Sequence, residues 1–379
     1  MNVPKLLLDA YLKEGVGNAY TGVTVHIRYQ GDVVYEQSAG YVHPEVTPEP
    51  VTRETLFDLA SLTKLFTTTL VLYLISQGHL SLHTRVREVL PTFTGERPIA
   101  PYEDPLHPGR WIRIPTREHT TRAEQVTIWH LLTHTSGLPA WHPLYRLPPE
   151  QRRGSIFHVP FAYAPGEHVV YSDLGMMLLG EIITTLMGTD LAQALHRHLL
   201  HPLGLTSIHY RPPSSALDGL SIAATERCPW RKRRLWGEVH DENAWALGGI
   251  AGHAGLFGAA RDVGRFGQAW LDALHGHGPL SFLDAYAAEA IHPQAEEGHI
   301  RRGLGWSLWS PSPTSPSYPL GPKTFGHTGF TGTSLYIEPS HSLVIVALTN
   351  RVYYGRNGEP IQRWRWRLHQ LIREHLLST

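Results

Sequence analysis

Two hairpin signatures stand at opposite ends of this chain, and their separation constrains the fold more than any other feature. Thr21 to Arg28 (TGVTVHIR) and Val33 to Tyr41 (VVYEQSAGY) are β-rich runs separated by Gln30-Gly31-Asp32, residue types that suit a tight turn. Near the other end, Ser334 to Ile337 and Leu343 to Leu348 flank Glu338-Pro-Ser-His. An isolated hairpin is marginal in water, so the economical arrangement is one antiparallel sheet built from both ends of the chain.

The sequence between these hairpins reads as helical and loop-rich. Leu6, Leu7, Tyr11 and Leu12 recur at helical spacing over 4–14, ahead of Gly15. Leu62 to Gln77 predicts an apolar helix stopped by Gly78, Val126 to Leu132 a shorter one, and Leu174 to Met187 another stopped by Gly188. Residues 92–125 carry Pro98, Pro101, Pro105, Pro108 and Pro115 without periodicity, which predicts a surface insertion shaping a pocket rim. Arg231-Lys-Arg-Arg and the Pro/Ser stretch 311–319 read as loops.

Composition narrows the functions. Lys and Arg total 33 against 33 Asp and Glu, so the electrostatic footprint of a nucleic-acid or anionic-membrane binder is missing and a small partner, uncharged overall, is expected. A 42% hydrophobic fraction over 379 residues supplies a large core. No apolar run approaches the ~20 residues that span a bilayer. The opening residues lack the apolar core of a signal peptide, which predicts a cytoplasmic location. The single Cys228 excludes an internal disulfide or a cysteine-rich metal site.

Three motifs carry chemistry. In Ala60-Ser61-Leu62-Thr63-Lys64, Ser61 and Lys64 share a helix face, so the amine can reach the hydroxyl. A serine needs a base to become a nucleophile, and a lysine buried in apolar surroundings would lose charge and serve as one. Pro165-Gly-Glu leads to Tyr171-Ser172-Asp173, where Asp173 is expected to cap a helix and the Tyr171 hydroxyl to shuttle protons, its pKa lowered by a nearby cation. Phe325-Gly326-His327-Thr328-Gly329-Phe330 opens the strand at 334, with glycines that suit close substrate approach along an edge strand.

In this order, Ser61-x-x-Lys64, Tyr171-Ser172-Asp173 and His327-Thr328-Gly329 resemble the three signature elements of the serine β-lactamase and penicillin-binding protein superfamily. The branch with class C β-lactamases, DD-peptidases and related serine esterases is the most similar, and the resemblance takes in His130-Leu-Leu-Thr-His-Thr-Ser-Gly137 and Leu256-Phe-Gly. It implies an α+β fold in which an antiparallel sheet flanked by helices, from 1–91 and 245–379, holds a mainly helical inserted domain, 92–244. It also implies an acyl-enzyme on Ser61, acid–base work shared by Lys64 and Tyr171, and an oxyanion hole from the backbone N–H groups of Ser61 and Phe330. Asp173, His327, Thr328 and Gly329 would bind substrate. His327 stands where many relatives carry Lys, and Asp173 where many carry Asn, which predicts weak or no β-lactamase activity because an anionic substrate loses its cation.

Val239-His240-Asp241-Glu-Asn243 and Gly252-His253-Ala-Gly255 offer Asp241, Asn243 and His253 as further pocket-lining residues, against the alternative of a packed glycine-rich connector. The histidine pairs 130/134 and 196/198/201 lack a completing acid, so no metal is expected, and no nucleotide motif or cofactor is implied. The expected activity is cleavage of a small-molecule ester, amide or peptide. Esterase, D-amino-acid peptidase and muramyl-peptide amidase remain open, with a class C-type β-lactamase or DD-peptidase as alternative and a non-catalytic binder as the rival from another class.

Overall fold

The computed structural model describes residues 5–212, 221–283 and 285–377; Pro4, where the sequence starts its first helix, lies outside them. Nine antiparallel strands form the main sheet: β1 (Gly22–Tyr29), β2 (Asp32–His43), β3 (Thr47–Pro50), β4 (Ala295–Glu297), β5 (Ile300–Arg302), β6 (Ser307–Leu308), β7 (Phe325–Thr328), β8 (Ser334–Glu338) and β9 (Leu343–Thr349). Their order is β4-β5-β6-β7-β8-β9-β1-β2-β3. The two expected hairpins meet where β1 pairs β9, from Val23 opposite Thr349 to Tyr29 opposite Leu343.

The period-2 alternation of these strands feeds two faces. Val23, Val25, Ile27, Ile345 and Ala347 pack with Leu8 and Leu12 of α1 (Lys5–Gly15) and with Ile361, Trp364 and Leu368 near the C-terminus. Val344, Val346 and Leu348 turn the other way, onto Val263, Phe266 and Trp270. These partners lie on two helices the sequence reading left out, Ala260–Ala273 and Glu359–Ile372. The second core continues without a break into the helical part of the chain, through Leu65, Leu131, Leu174 and Ile182.

At its centre is α2 (Thr63–Ser76), buried on nearly every residue. α3 (Ile128–Leu132) and α4 (Asp173–Met187) lie between β3 and β4 along the chain, and α4 ends at Gly188, whose φ of 62° is the left-handed closure glycine takes at little cost. The cap of α4 is not Asp173, as expected, but Ser172, whose hydroxyl accepts the Gly175 N–H at 3.3 Å; Asp173 is the first helical residue and its side chain is engaged elsewhere.

The proline-rich segment folds into two small antiparallel pairs, Glu96–Pro98 with Thr120–Arg122 and Tyr102–Glu103 with Trp111–Ile112. β7 is not an edge strand, since it runs between β6 and β8. However, of β7 only Phe325 and Gly326 pair with β6, so His327 and Thr328 lie beyond its end with one side open. No single helix among the described residues is long and apolar enough to cross a membrane.

Candidate active site

A short strand, Phe57–Asp58, runs into a 3-10 turn, Ala60–Leu62, that continues as α2. Ala60 holds a φ of 46°, a conformation that strains a non-glycine residue by about 1–3 kcal/mol. Asp58, buried and unnoticed in the sequence, supports it: one carboxylate oxygen accepts the Ala60 N–H at 2.8 Å and the other the His240 N–H at 2.6 Å. Ser61 follows at the start of the helix, and one turn on the Lys64 ammonium donates to Ser61 Oγ at 2.8 Å and to the His253 carbonyl at 3.0 Å.

The third neighbour of the ammonium is Asp173 Oδ1, at 2.8 Å. Burial pulls Lys64 towards neutrality, but Asp173 and Tyr171 outweigh it and hold the amine above the ordinary lysine value. This corrects the expectation of a neutral lysine base: Lys64 rests as a cation. Tyr171 departs likewise from the lowered pKa expected of it, because burial raises the phenol more than Lys64 pulls it back. Its hydroxyl is closed off from solvent, faces Lys64 and Ser61, and is saturated by neither.

The end of β7 completes the site. Gly329 lies so close to the Ser61 turn that a β-carbon there would stand 2.7 Å from the Leu59 carbonyl oxygen and 2.1 Å from Thr333 Oγ1. The hydroxyls of Thr331 and Thr333 fasten the approach by donating to the carbonyls of Asp58 and Leu59, at 2.7 and 3.0 Å. His327 donates from Nδ1 to the Thr328 carbonyl at 2.8 Å, which leaves Nε2 a bare acceptor. Burial, then Lys64 and Arg302, depress its pKa to about 3, so the imidazole is neutral. Ser61, Tyr171, His327, Thr328, Gly329 and Phe330 line one cleft of about 450 Å³.

The beta-lactamase family model matches residues 8–369 of this chain. The chain belongs to the beta-lactamase family. It is a serine hydrolase of that superfamily. A relative from Escherichia coli (strain K12), named "Putative D-alanyl-D-alanine carboxypeptidase", is 31% identical over 381 residues, covering 92% of this chain and 83% of that protein. Two solved structures share the fold: a class C beta-lactamase (TM-score 0.74, 21% identity, 100% of this chain and 99% of that one) and EstCE1, a hydrolase with promiscuous acyltransferase activity (TM-score 0.73, 21% identity, 96% and 97%).

Against this family frame, four residues expected to bind substrate lie outside the cleft wall. Asp173 is the counter-ion of Lys64. Asp241 caps the helix Glu242–Ala246, accepting the Ala244 N–H at 2.7 Å, and its Oδ1 lies 2.9 Å from His253 Nε2. Burial would raise this carboxyl, but the facing His253 and the Ala244 N–H overrule it and hold it well below the usual range. Asn243 is fully buried and staples the 142–145 loop, donating to the His142 carbonyl at 2.8 Å and accepting the Tyr145 N–H at 3.2 Å. Asp173, Asp241 and His253 each bring a ligand atom within 4.8 Å of the others, and of the three side chains it is Asp173 that pairs with the Lys64 ammonium.

The cleft wall beyond His327 is arginine-rich, which the sequence reading missed. Arg302, Arg351, Arg356 and Arg365 all line it. Arg356 is neutralised by Glu226 and Glu242, whereas Arg302, Arg351 and Arg365 form no ion pair among the described residues. Arg365 is tied to the Gly332 carbonyl at 2.8 Å. Arg302 lies 5.2 Å from the centre of the Tyr171 ring and Arg351 4.6 Å from that of Phe330. Leu106, from the proline-rich insertion, reaches the same cleft while 53% exposed.

Proposed function

We propose that the protein cleaves an amide or ester through an acyl group carried on Ser61, and that its substrate bears a carboxylate, as the C-terminus of a short peptide does. The observation that carries this reading is a nucleophile opening onto arginines, two of which, Arg302 and Arg351, offer guanidinium groups without a protein counter-ion. Two features of the sequence stand against an anionic substrate: a carboxylate at Asp173 and the absence of a lysine at 327. Lys64 neutralises the first, and the arginines replace the second. The carboxypeptidase name of the Escherichia coli relative points the same way.

In this reading Ser61 Oγ attacks the carbonyl carbon, and its proton passes to the Tyr171 and Lys64 pair. With both groups held protonated at rest, the pair must first lose one proton, so the reactive enzyme is the fraction that has lost it. Charge developing on the carbonyl oxygen is met by the backbone N–H groups of Ser61 and Phe330. The pair returns the proton to the departing nitrogen or oxygen, and water then cleaves the Ser61 ester by the same path. His327, being neutral, supplies an acceptor nitrogen rather than charge. Because the arginines suit a β-lactam carboxylate equally, weak β-lactamase activity would arise from slow deacylation rather than from repulsion.

Hydrolysis of a D-Ala-D-Ala peptide, its C-terminal amide, a p-nitrophenyl ester and nitrocefin at matched enzyme concentration tests this. Ser61→Ala should abolish turnover of all four, and the free peptide should outrun its amide. Undiminished activity in a folded Ser61→Ala protein overturns the nucleophile; equal rates for acid and amide overturn the carboxylate.

A further inference from the structure

Tyr171 is held from both sides by one residue that no motif had marked for a role. The N–H of Val170, just before it, donates to the His134 carbonyl at 2.9 Å, and the N–H of Ser172, just after it, donates to His134 Nδ1 at 3.1 Å. The imidazole lies 4.7 Å from the Tyr171 ring, tilted by 44°. Tyr163 adds a hydroxyl donated to the same carbonyl at 3.3 Å.

His134 sits one residue past the C-cap of α3 with a φ of 60°. Glycine or asparagine adopts that conformation more cheaply, so the backbone alone gives no reason for histidine there. Its side chain does give one. The Ser172 N–H requires a lone pair at Nδ1, which places the ring proton on Nε2 and keeps the imidazole neutral. Burial, then Arg302, Lys64 and His327, favour that same state. A protonated His134 would turn a donor toward the Ser172 N–H.

We propose that His134 is a positioning residue for Tyr171: its carbonyl and its Nδ1 clamp the two peptide groups flanking the tyrosine, and its ring fixes the phenol against Lys64 and Ser61. The inference rests on the acyl-serine reading above, because Tyr171 matters only if Ser61 is activated. It adds a residue that contacts neither substrate nor nucleophile.

The test compares His134→Leu, which lacks the acceptor, with His134→Asn, whose Oδ1 takes the place of Nδ1 and whose backbone tolerates the left-handed conformation. Burst acylation of Ser61 by a fluorophosphonate and steady-state ester hydrolysis give two readouts. His134→Leu should lower kcat by about 100-fold, the scale of a misplaced catalytic group, with KM changed less than about twofold. His134→Asn should recover to within about threefold of the wild type. Wild-type rates in His134→Leu, or equal losses in two folded variants, overturn the proposal. Should His134→Leu fail to fold, His134→Gln, whose acceptor lies one atom too far out, takes its place and should be at least about tenfold slower than His134→Asn; equal rates overturn it. A wild-type protein that takes no label on Ser61 would instead sink the acyl-serine reading, whatever the variants do.

Discussion

Lys64 and Asp173 form an ion pair at 2.8 Å, one hydrogen bond away from the Ser61 hydroxyl. The pair keeps the lysine charged in a place where burial alone would discharge it. Asp173→Asn removes the carboxylate, so the Lys64 pKa falls and the rising limb of the kcat/KM profile moves to lower pH. Asp173→Ala leaves a buried ammonium without its partner and should destabilise the fold by about 3 kcal/mol, the low end for a broken buried pair, since Asp173 is one-fifth exposed. A pH profile and a denaturant titration check the two outcomes; an unmoved limb in Asp173→Asn contradicts the first.

Catalytic rate should climb with pH through neutrality. Lys64 and Tyr171 are both held above their ordinary values, so the fraction that has lost one proton grows about tenfold per pH unit in the neutral range. His327, depressed to about 3, adds no ionisation there. An acidic limb that levels off near pH 6.5 would identify a histidine base and contradict this assignment.

Stability should fall as the medium is acidified. His327 and His369 are each depressed to about 3 in the fold, mainly by burial, against 6.5 for the free side chain. Between these values the unfolded chain binds protons that the folded one refuses, so stability is full above pH 6.5 and is lost as pH falls towards 3. Each histidine contributes a slope of about 1.4 kcal/mol per pH unit. Denaturant midpoints measured from pH 7 to 4 follow this directly, and a flat series would show that the two rings are not held neutral.

Arg302→Gln should separate substrates by charge. A guanidinium bound to a carboxylate contributes about 1.5–3 kcal/mol, so kcat/KM for a peptide with a free C-terminus should drop by about 10- to 100-fold while a neutral aryl ester changes little. Equal losses on both substrates would assign Arg302 to supporting the Tyr171 ring, which lies 5.2 Å away.

Leu106 tests the insertion. Being 53% exposed, it can bury only about half of a leucine's apolar surface on a substrate, about 1 kcal/mol. Leu106→Ala should raise KM about fivefold for bulky apolar substrates, with only a small fall in Tm because about half of the side chain is packed in the free protein. A KM unchanged across a series of acyl lengths would remove the insertion from the rim.

Much of this site was legible in one dimension because its chemistry is local. Ser61 and Lys64 are one helical turn apart, and the glycine stops at 15, 78 and 188 end α1, α2 and α4 as written. The helices Ala260–Ala273 and Glu359–Ile372 were missed even though each presents an apolar face. The first buries Gly264 and Gly267, which read as breakers but admit His26 and Val344. Arg302, Arg351 and Leu106 were invisible as a group because they come from a strand, a turn after β9 and a distant insertion.

By itself the sequence determined the antiparallel sheet from both chain ends, the juxtaposition of Ser61 and Lys64, and the order of three motifs, since these depend on periodicity and short-range spacing. Only the tertiary structure decided the charge states. A lysine and a tyrosine take their pKa from burial and from neighbours brought in across more than 100 residues, and no spacing rule reveals that Asp173 would face Lys64. For the same reason the neutral His327 does not leave the cleft without cations: the fold supplies them from elsewhere in the chain.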